Sequence, residues 1–403
     1  MDFDMLGLAP RLTAKLTELG MTEPTSIQTQ AIPHALNGRD VMGLAQTGTG
    51  KTAAFGLPLL DSLLKVGSKP PARTARALVL APTRELAKQI LDNLTNFTKG
   101  SHLKLGLVVG GMSINAQINR LARGTDLLGA TPGRLIDLLD RKAVDLSQTR
   151  FLVLDEADQM LDLGFIHALR RIAKVLPSER QTMLFSATMP KQMAELSQSY
   201  LTDPVRVEVA RSGKVADKVT QEVHFVAQGD KTKLLIDKLD AHRDALALVF
   251  ARTKHGAERL MKNLDRAGFA AGSIHGNKSQ GQRDRAIKAL REGTIRVLVA
   301  TDVAARGIDI SGVEYVYNYD LPNVAENYVH RIGRTARAGA SGQAVAYCAE
   351  AEMGDLKSIE KLMKTQIPVA SGTPWEAPKP ERKARPQNRR RRPANRNRAR
   401  KAA

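Results

Sequence analysis

Phe151-Leu-Val-Leu-Asp155-Glu156-Ala157-Asp158 decides the fold of this chain. Four consecutive apolar residues offer no polar face to water, so the run reads as a strand buried on both sides. Such strands belong to parallel sheets covered by helices. Ending in carboxylates, the strand delivers Asp155 and Glu156 to the carboxyl edge of its sheet, where open α/β sheets bind ligands.

Other short apolar runs agree. Val41–Ala45, Ala77–Ala81, Leu105–Val109, Asp126–Ala130, Arg150–Leu154 and Thr182–Ser186 form one series. Thr220–Val226, Ala245–Phe250, Ala271–Ile274, Ile295–Ala300, Val313–Asn318 and Gln343–Tyr347 form a second. Amphipathic stretches such as Arg84–Leu94, Gly256–Ala267 and Arg283–Leu290 lie between them. Strand–helix alternation of this kind predicts α/β architecture with mostly parallel sheets flanked by helices. Two series predict two domains, 1–208 and 219–365, joined by a polar, aperiodic linker at 209–218. Beyond 365 the periodicity stops, and 366–403 reads as a disordered arginine-rich tail.

The charge is unusual. The chain of 403 residues carries a net +20. Residues 366–403 hold 12 Lys/Arg against Glu376 and Glu381, which gives +10 to the tail and leaves +10 for the rest. A polyanionic partner is implied, nucleic acid first. Cys348 is the only cysteine, which excludes an intrachain disulfide and an all-cysteine metal site. Met1-Asp-Phe-Asp-Met has no basic n-region or long apolar stretch, and no run approaches a membrane span. The expectation is a cytoplasmic protein without membrane contact.

Ala45-Gln-Thr47-Gly48-Thr49-Gly50-Lys51-Thr52 follows the first strand and opens a helix. Glycines let backbone N–H groups close on phosphate oxygens, and the helix N-terminus favours the anion. Lys51 would reach the outer phosphates and Thr52 would ligate Mg²⁺. Ala45 stands where this pattern usually begins with glycine. Asp155 is the second candidate Mg²⁺ ligand, and Glu156 the group that polarises an attacking water. At the turn after the second strand of the later series stands Thr253-Lys254-His255-Gly256, which cannot cradle phosphates, so one nucleotide per chain is expected. His330-Arg331-Ile-Gly-Arg334-Thr-Ala-Arg337 places His330, Arg334 and Arg337 at i, i+4 and i+7. On a helix that is one cationic stripe, with Arg331 turned away. Facing Lys51 across a cleft, the stripe would neutralise charge developing on a transferred phosphoryl group.

With these motifs in this order, residues 1–365 resemble the DEAD-box RNA helicases of superfamily 2. The resemblance implies two tandem RecA-like domains, RNA-dependent ATP hydrolysis, and ATP and Mg²⁺ as cofactors. It implies that Gln28, within Pro24-Thr-Ser-Ile-Gln28, reads the adenine edge and that Phe3 stacks on the ring. It places the ribose hydroxyls on Asp309 and pairs Arg306 with the acidic motif. Ser186 and Thr188 would bond Asp158 and couple the nucleotide state to RNA. The RNA-contacting residues implied are Arg84, Gly111, Thr131 and Arg134 in the first domain, with Arg252, Gly276 and Thr301 in the second. Ala336 stands where many relatives have glycine. Arg334-Thr-Ala-Arg337 with the arginine-rich tail resembles the bacterial RhlE-type subgroup most. Ribosome-assembly or RNA-degradation complexes are partners that the resemblance admits, and an ATP-gated RNA clamp that separates few strands would use the same residues.

Aromatic residues make up only 4% of the chain, too few for a base-stacking platform along a strand. Sequence-blind contact with the RNA backbone fits better, and contact with the sugar lets a protein sense the 2′-hydroxyl.

Overall fold

The computed structural model describes residues 2–46, 48–209, 219–305, 310, 312–336 and 341–375. Among these residues are two seven-stranded sheets in which every strand pair is parallel. The first holds β1 (Val41–Leu44), β2 (Ala75–Leu80), β3 (Leu105–Val108), β4 (Thr125–Ala130), β5 (Phe151–Leu154), β6 (Gln181–Ser186) and β7 (Val205–Glu208). Their spatial order is β3-β4-β2-β5-β6-β1-β7. The second holds β8 (Val219–Phe225), β9 (Leu246–Phe250), β10 (Ala271–Ile274), β11 (Val297–Ala300), β12 (Val313–Asn318), β13 (Gly342–Cys348) and β14 (Val369–Ser371), in the order β10-β11-β9-β12-β13-β8-β14.

Side chains alternate across each sheet, so a strand buried on both faces feeds two cores. Val79, Val153 and Phe185 enter one, with Phe55 and Leu57 of the helix Lys51–Leu64. Leu78, Leu80, Leu152, Leu154 and Leu184 enter the other. Phe55 and Phe185 lie with ring centroids 5.5 Å apart. In β1 only glycine fits at position 43, because a Cβ there would stand 2.5 Å from the Phe185 ring. These contacts fix β1, and with it the loop that leaves its carboxyl end.

The strand order corrects one sequence expectation. β8 stands in the second sheet where β1 stands in the first, and β9 where β2 stands. The turn that matches the glycine loop is therefore Ala227–Lys231. Thr253 instead matches Thr83: both cap a helix by accepting the N–H three residues on, at 2.9 Å from Gly256 and 3.2 Å from Leu86.

Two edge strands are absent from the sequence expectation. β7 (Val-Arg-Val-Glu) alternates with charge and all three residues of β14 are exposed, so neither shows a continuous apolar run. β14 pairs with β8, and Trp375 Nε1 donates to Cys348 O at 3.2 Å. Packed chain thus extends through Trp375 rather than stopping at 365. Of the expected linker at 209–218 only Val209 is described, and the tail from 376 lies outside the described residues.

Candidate active site

A cavity of about 410 Å³ opens at the carboxyl edge of the first sheet and brings together residues far apart in sequence. Gly48, Gly50, Lys51 and Thr52 form its floor, Asp155 and Glu156 one side, and Arg334 arrives from the second sheet's side. Gly48 and Gly50 take φ of +87° and +90°, and the helix begins at Lys51. Thr47 lies outside the described residues. Thr49 Oγ1 donates to Gln46 O at 2.8 Å and its own carbonyl accepts from Thr25 Oγ1 at 2.8 Å.

Gln28 lines the cavity, but its amide is largely engaged by the protein. Nε2 donates to Gly50 O at 3.0 Å, and Oε1 accepts the Thr25 N–H at 2.9 Å. A Cβ at position 50 would lie 2.4 Å from that Nε2, so Gly50 serves both the left-handed turn and the glutamine. Gln28 therefore ties the glycine loop to the helix Ser26–Leu36 at the cavity wall. Phe3 does not stack there. It is buried in the core with Leu6, Leu8 and Leu12, where a short apolar turn finds more contact than a cavity rim could offer. Leu19, Met21 and Phe97 supply the apolar wall instead. Leu86, Gln89, Asn93 and Phe97 share one face of the helix Arg84–Phe97; a helical-face reading of that stretch signals them.

Lys51 is 5% exposed, and its Nζ is buried without a hydrogen bond, 3.8 Å from Asp155 Oδ1. A buried ammonium with unused donors fits a phosphate ligand. Burial, opposed by Lys51 and aided by the Glu156 charge, pushes the Asp155 carboxyl up to about 6. A carboxylate held uneasily in its charged form, in the cavity that Thr52 also lines, fits a hard divalent cation. Mg²⁺ bound by Asp155 and Thr52 would supply charge to the phosphate oxygens.

The sign of this shift gives a testable result. A carboxyl raised from 3.8 to about 6 destabilises the metal-free fold as pH climbs through that interval, by roughly 3 kcal/mol once complete. Cation binding needs the ionised form. The affinity for the magnesium–nucleotide complex should therefore fall about tenfold per pH unit below 6. Titrating binding from pH 5 to 8 checks this, and Asp155→Asn should flatten the profile.

Glu156 takes φ +49°, ψ +51° and caps the short helix Ala157–Asp162. Left-handed backbone at a non-glycine costs roughly 1–2 kcal/mol and here turns the Glu156 side chain into the cavity. The Asp158 carboxylate accepts from the Ala187 N–H, the Thr188 N–H and Thr188 Oγ1 at 3.1, 2.8 and 2.9 Å. Ser186 does not reach that carboxylate: its Oγ accepts the Asp158 N–H at 3.3 Å and donates to Thr188 O. Both hydroxyls still lock β5 to β6.

The cationic stripe is not helical as expected. The helix Ala325–Ile332 ends before Arg334, which reaches the cavity from the following turn. Arg334 is 6% exposed, and with His330 it also lines a small crevice beside Asp302. Arg331 is a structural anchor, on Asp302 at 2.6 and 2.8 Å and stacked over Phe250. Ala336 has φ +54°, which explains glycine at that place in the family pattern. Arg306, Asp309 and Arg337 lie outside the described residues.

The implied RNA residues fall along the carboxyl ends of β2, β3, β4, β9, β10 and β11. Gly111 has φ +75°, and a Cβ there would collide with Arg84, so the arginine lies flat across the glycine. Thr131 caps the helix Pro132–Asp140, and Arg134 donates to Met112 O at 3.1 Å. Gly276 is exposed with open space above it, and Thr301 follows β11. Arg252 is turned inward, onto Leu321 O, Glu352 and Asp355 at 2.8, 3.2 and 3.0 Å. Sequence reasoning also missed a contact between the halves. Glu85 Oε1 accepts from Gln280 Nε2 at 3.0 Å and pairs with Arg283 at 3.1 Å.

Comparisons agree with this geometry. Residues 25–196 match the DEAD/DEAH box helicase family and 230–339 the helicase conserved C-terminal domain. The chain is 43% identical over 370 residues to the RNA helicase CrhR of Synechocystis, covering 92% of this chain and 74% of that one. It is 41% identical over 374 residues to the ATP-dependent RNA helicase CshA of Listeria monocytogenes, covering 93% and 71%. S. cerevisiae Dbp5 bound to RNA and ADP BeF3 superposes with a TM-score of 0.82 at 33% identity, over 92% of this chain and 95% of that one. A Dbp5 variant bound to Nup159, Gle1, IP6 and ADP superposes at only 0.60, with 30% identity over 92% and 96%. The two halves thus superpose better on that RNA-bound structure than on the ADP-bound one. The chain belongs to the DEAD-box family of ATP-dependent RNA helicases, enzymes that hydrolyse ATP in the presence of RNA.

Proposed function

We propose that ATP and RNA close the cleft jointly and that only the closed form hydrolyses ATP. The observation that carries this is Arg334, which lines one cavity with Lys51 and Glu156 although it belongs to the other half of the chain. Lys51 binds the outer phosphates, Glu156 orients and deprotonates the attacking water, and Arg334 meets the charge that develops on the transferred group. Asp158, held by Thr188, carries the nucleotide state from β5 to β6. RNA spans the carboxyl ends of both sheets and is gripped by its backbone. In the closed groove one strand is held in a shape that a duplex cannot keep, so pairing opens locally. Because each ligand assembles the other's site, the coupling is mutual.

Glu85, Gln280 and Arg283 are the latch of that closure. Arg283→Ala removes a nearly buried charge pair that exists only when the halves meet, worth about 1–3 kcal/mol. It should raise the RNA concentration for half-maximal ATPase by about 5- to 150-fold, with the ATP-free fold and its melting temperature unchanged. An unaltered RNA dependence would remove the latch from the mechanism.

Within the family, Arg334-Thr-Ala-Arg337 and the arginine-rich tail support an RhlE-type assignment, although the relatives matched above are named CrhR and CshA. Magnesium as the cation, a cytoplasmic setting and work on ribosome-assembly or RNA-degradation complexes belong to the same proposal, supported by the site chemistry and the RNA substrate.

A further inference from the structure

The second sheet repeats the strand order of the first, and its counterpart of the nucleotide loop retains unexpected equipment. The N–H after β1, from Ala45, bonds Ser186 O at 3.0 Å; the N–H after β8, from Val226, bonds Cys348 O at 3.1 Å. From these matching points each chain runs through a short loop to a helix that begins on Lys-Thr: Lys51-Thr52 in one half, Lys231-Thr232 in the other. The acidic partner is matched as well. Asp155 N–H bonds Leu80 O on β2, and Asp320 N–H bonds Phe250 O on β9. Lys51 stands 3.8 Å from Asp155, and Lys231 stands 3.5 Å from Asp320. The next helix repeats too, with Thr83, Ala87, Asn93 and Leu94 answered by Thr253, Ala257, Asn263 and Leu264.

The two lysines differ in what they hold. Lys51 Nζ has no hydrogen bond. Lys231, fully buried, donates to Glu352 Oε2 at 2.5 Å and to Tyr319 O at 2.8 Å. Glu352 is itself 4% exposed and accepts four donors: Lys231, Arg252 at 3.2 Å, and the Leu321 and Ala349 N–H groups, each at 3.0 Å. Two cationic side chains and two backbone N–H groups converging on one point make an anion cradle. The carboxylate in it comes from the short turn Glu350–Glu352 after β13. The loop before Lys231 has also lost its glycines' geometry. Asp230 occupies the place of Gly50 in a right-handed conformation, adding negative charge where phosphates would lie.

We infer that the second half carries a phosphate-sized anion site of its own, closed by the Glu352 carboxylate as a built-in ligand. Glu352 occupies the position that a phosphate takes on Lys51, so this half has the packing of a liganded domain at all times and binds no nucleotide. The open cavity of about 890 Å³ beside it, walled by Arg259, Asn263 and Trp375, is what remains of the pocket once its anion position is filled. The inference rests on strand order, contacts and the reading of Lys51 as the phosphate-binding lysine of the first site.

The test opens the site. The full chain is first saturated with a non-hydrolysable ATP analogue and magnesium, so that the first site cannot respond. Inorganic phosphate is then titrated at constant ionic strength while thermal unfolding is followed. The native chain should show no phosphate-dependent shift. Glu352→Ala should melt lower and then gain about 5 °C at a hundredfold excess of phosphate over its dissociation constant. Adding Lys231→Met to that variant should abolish the gain. Glu352→Asp, which retracts the carboxylate by one methylene and disturbs the fold less, should show a smaller shift of the same sign. A folded Glu352→Ala or Glu352→Asp variant indifferent to phosphate, or a native chain that shifts as they do, overturns the inference.

Discussion

Arg334→Ala should lower RNA-stimulated ATP hydrolysis by about 10³- to 10⁵-fold while changing nucleotide affinity by no more than a few-fold. The reason is positional. Arg334 lies in a turn of the second half yet lines the cavity floored by Lys51, with 6% of its surface exposed. In so dry a site its charge acts on phosphate oxygens with little screening. Ground-state binding uses Lys51, the loop N–H groups and the apolar wall, all of which stay. Arg334→Lys should recover little, because a point charge does not reproduce a planar fork that contacts two oxygens. Steady-state ATPase at saturating RNA, beside equilibrium nucleotide binding, separates the two quantities. A loss confined to binding would place Arg334 in the ground state only.

Glu156→Gln should cut turnover by about 10²- to 10⁴-fold and leave closure intact. The amide keeps the shape of the side chain and cannot take a proton from water. The left-handed backbone at Glu156 is set by the turn from β5 into the next helix, so the substitution should not move it. Cleft closure depends on bound ATP and RNA, and both remain possible. The variant should therefore separate a short duplex once per binding event and then fail to release and recycle. Single-turnover strand separation with a labelled duplex measures this. ATP-dependent RNA binding without any strand separation would favour the clamp reading over the helicase.

The sequence made the central strands legible because burial on both faces leaves a continuous apolar signature: Phe151–Leu154 and Val297–Ala300 are the plainest cases. Val205–Glu208 and Val369–Ser371 escaped because edge strands are wet and need no such run. The gathering of Asp155, Glu156 and Lys51 at one cavity was legible because phosphate chemistry constrains residue type and spacing together. Phe3 was misassigned for a complementary reason: an aromatic residue's spacing does not reveal whether it faces a ligand or a core. Arg334 was found in the basic run His330–Arg337, but its helical geometry was wrong, since Gly333 caps the helix one residue earlier. The Glu85–Arg283 pair and the Glu352 carboxylate on Lys231 join positions too far apart in sequence for any local pattern to connect.

The claim that RNA completes the ATPase site is tested most directly by ATP hydrolysis of the native chain with and without saturating single-stranded RNA, beside Lys51→Ala. The account predicts stimulation by RNA of at least about fivefold, as expected for a coupling of 1–3 kcal/mol. It also predicts little stimulation by DNA of the same sequence and near-zero rates for Lys51→Ala in every condition. Equal hydrolysis with and without RNA, abolished by Lys51→Ala, would show a site complete without RNA and would contradict the account.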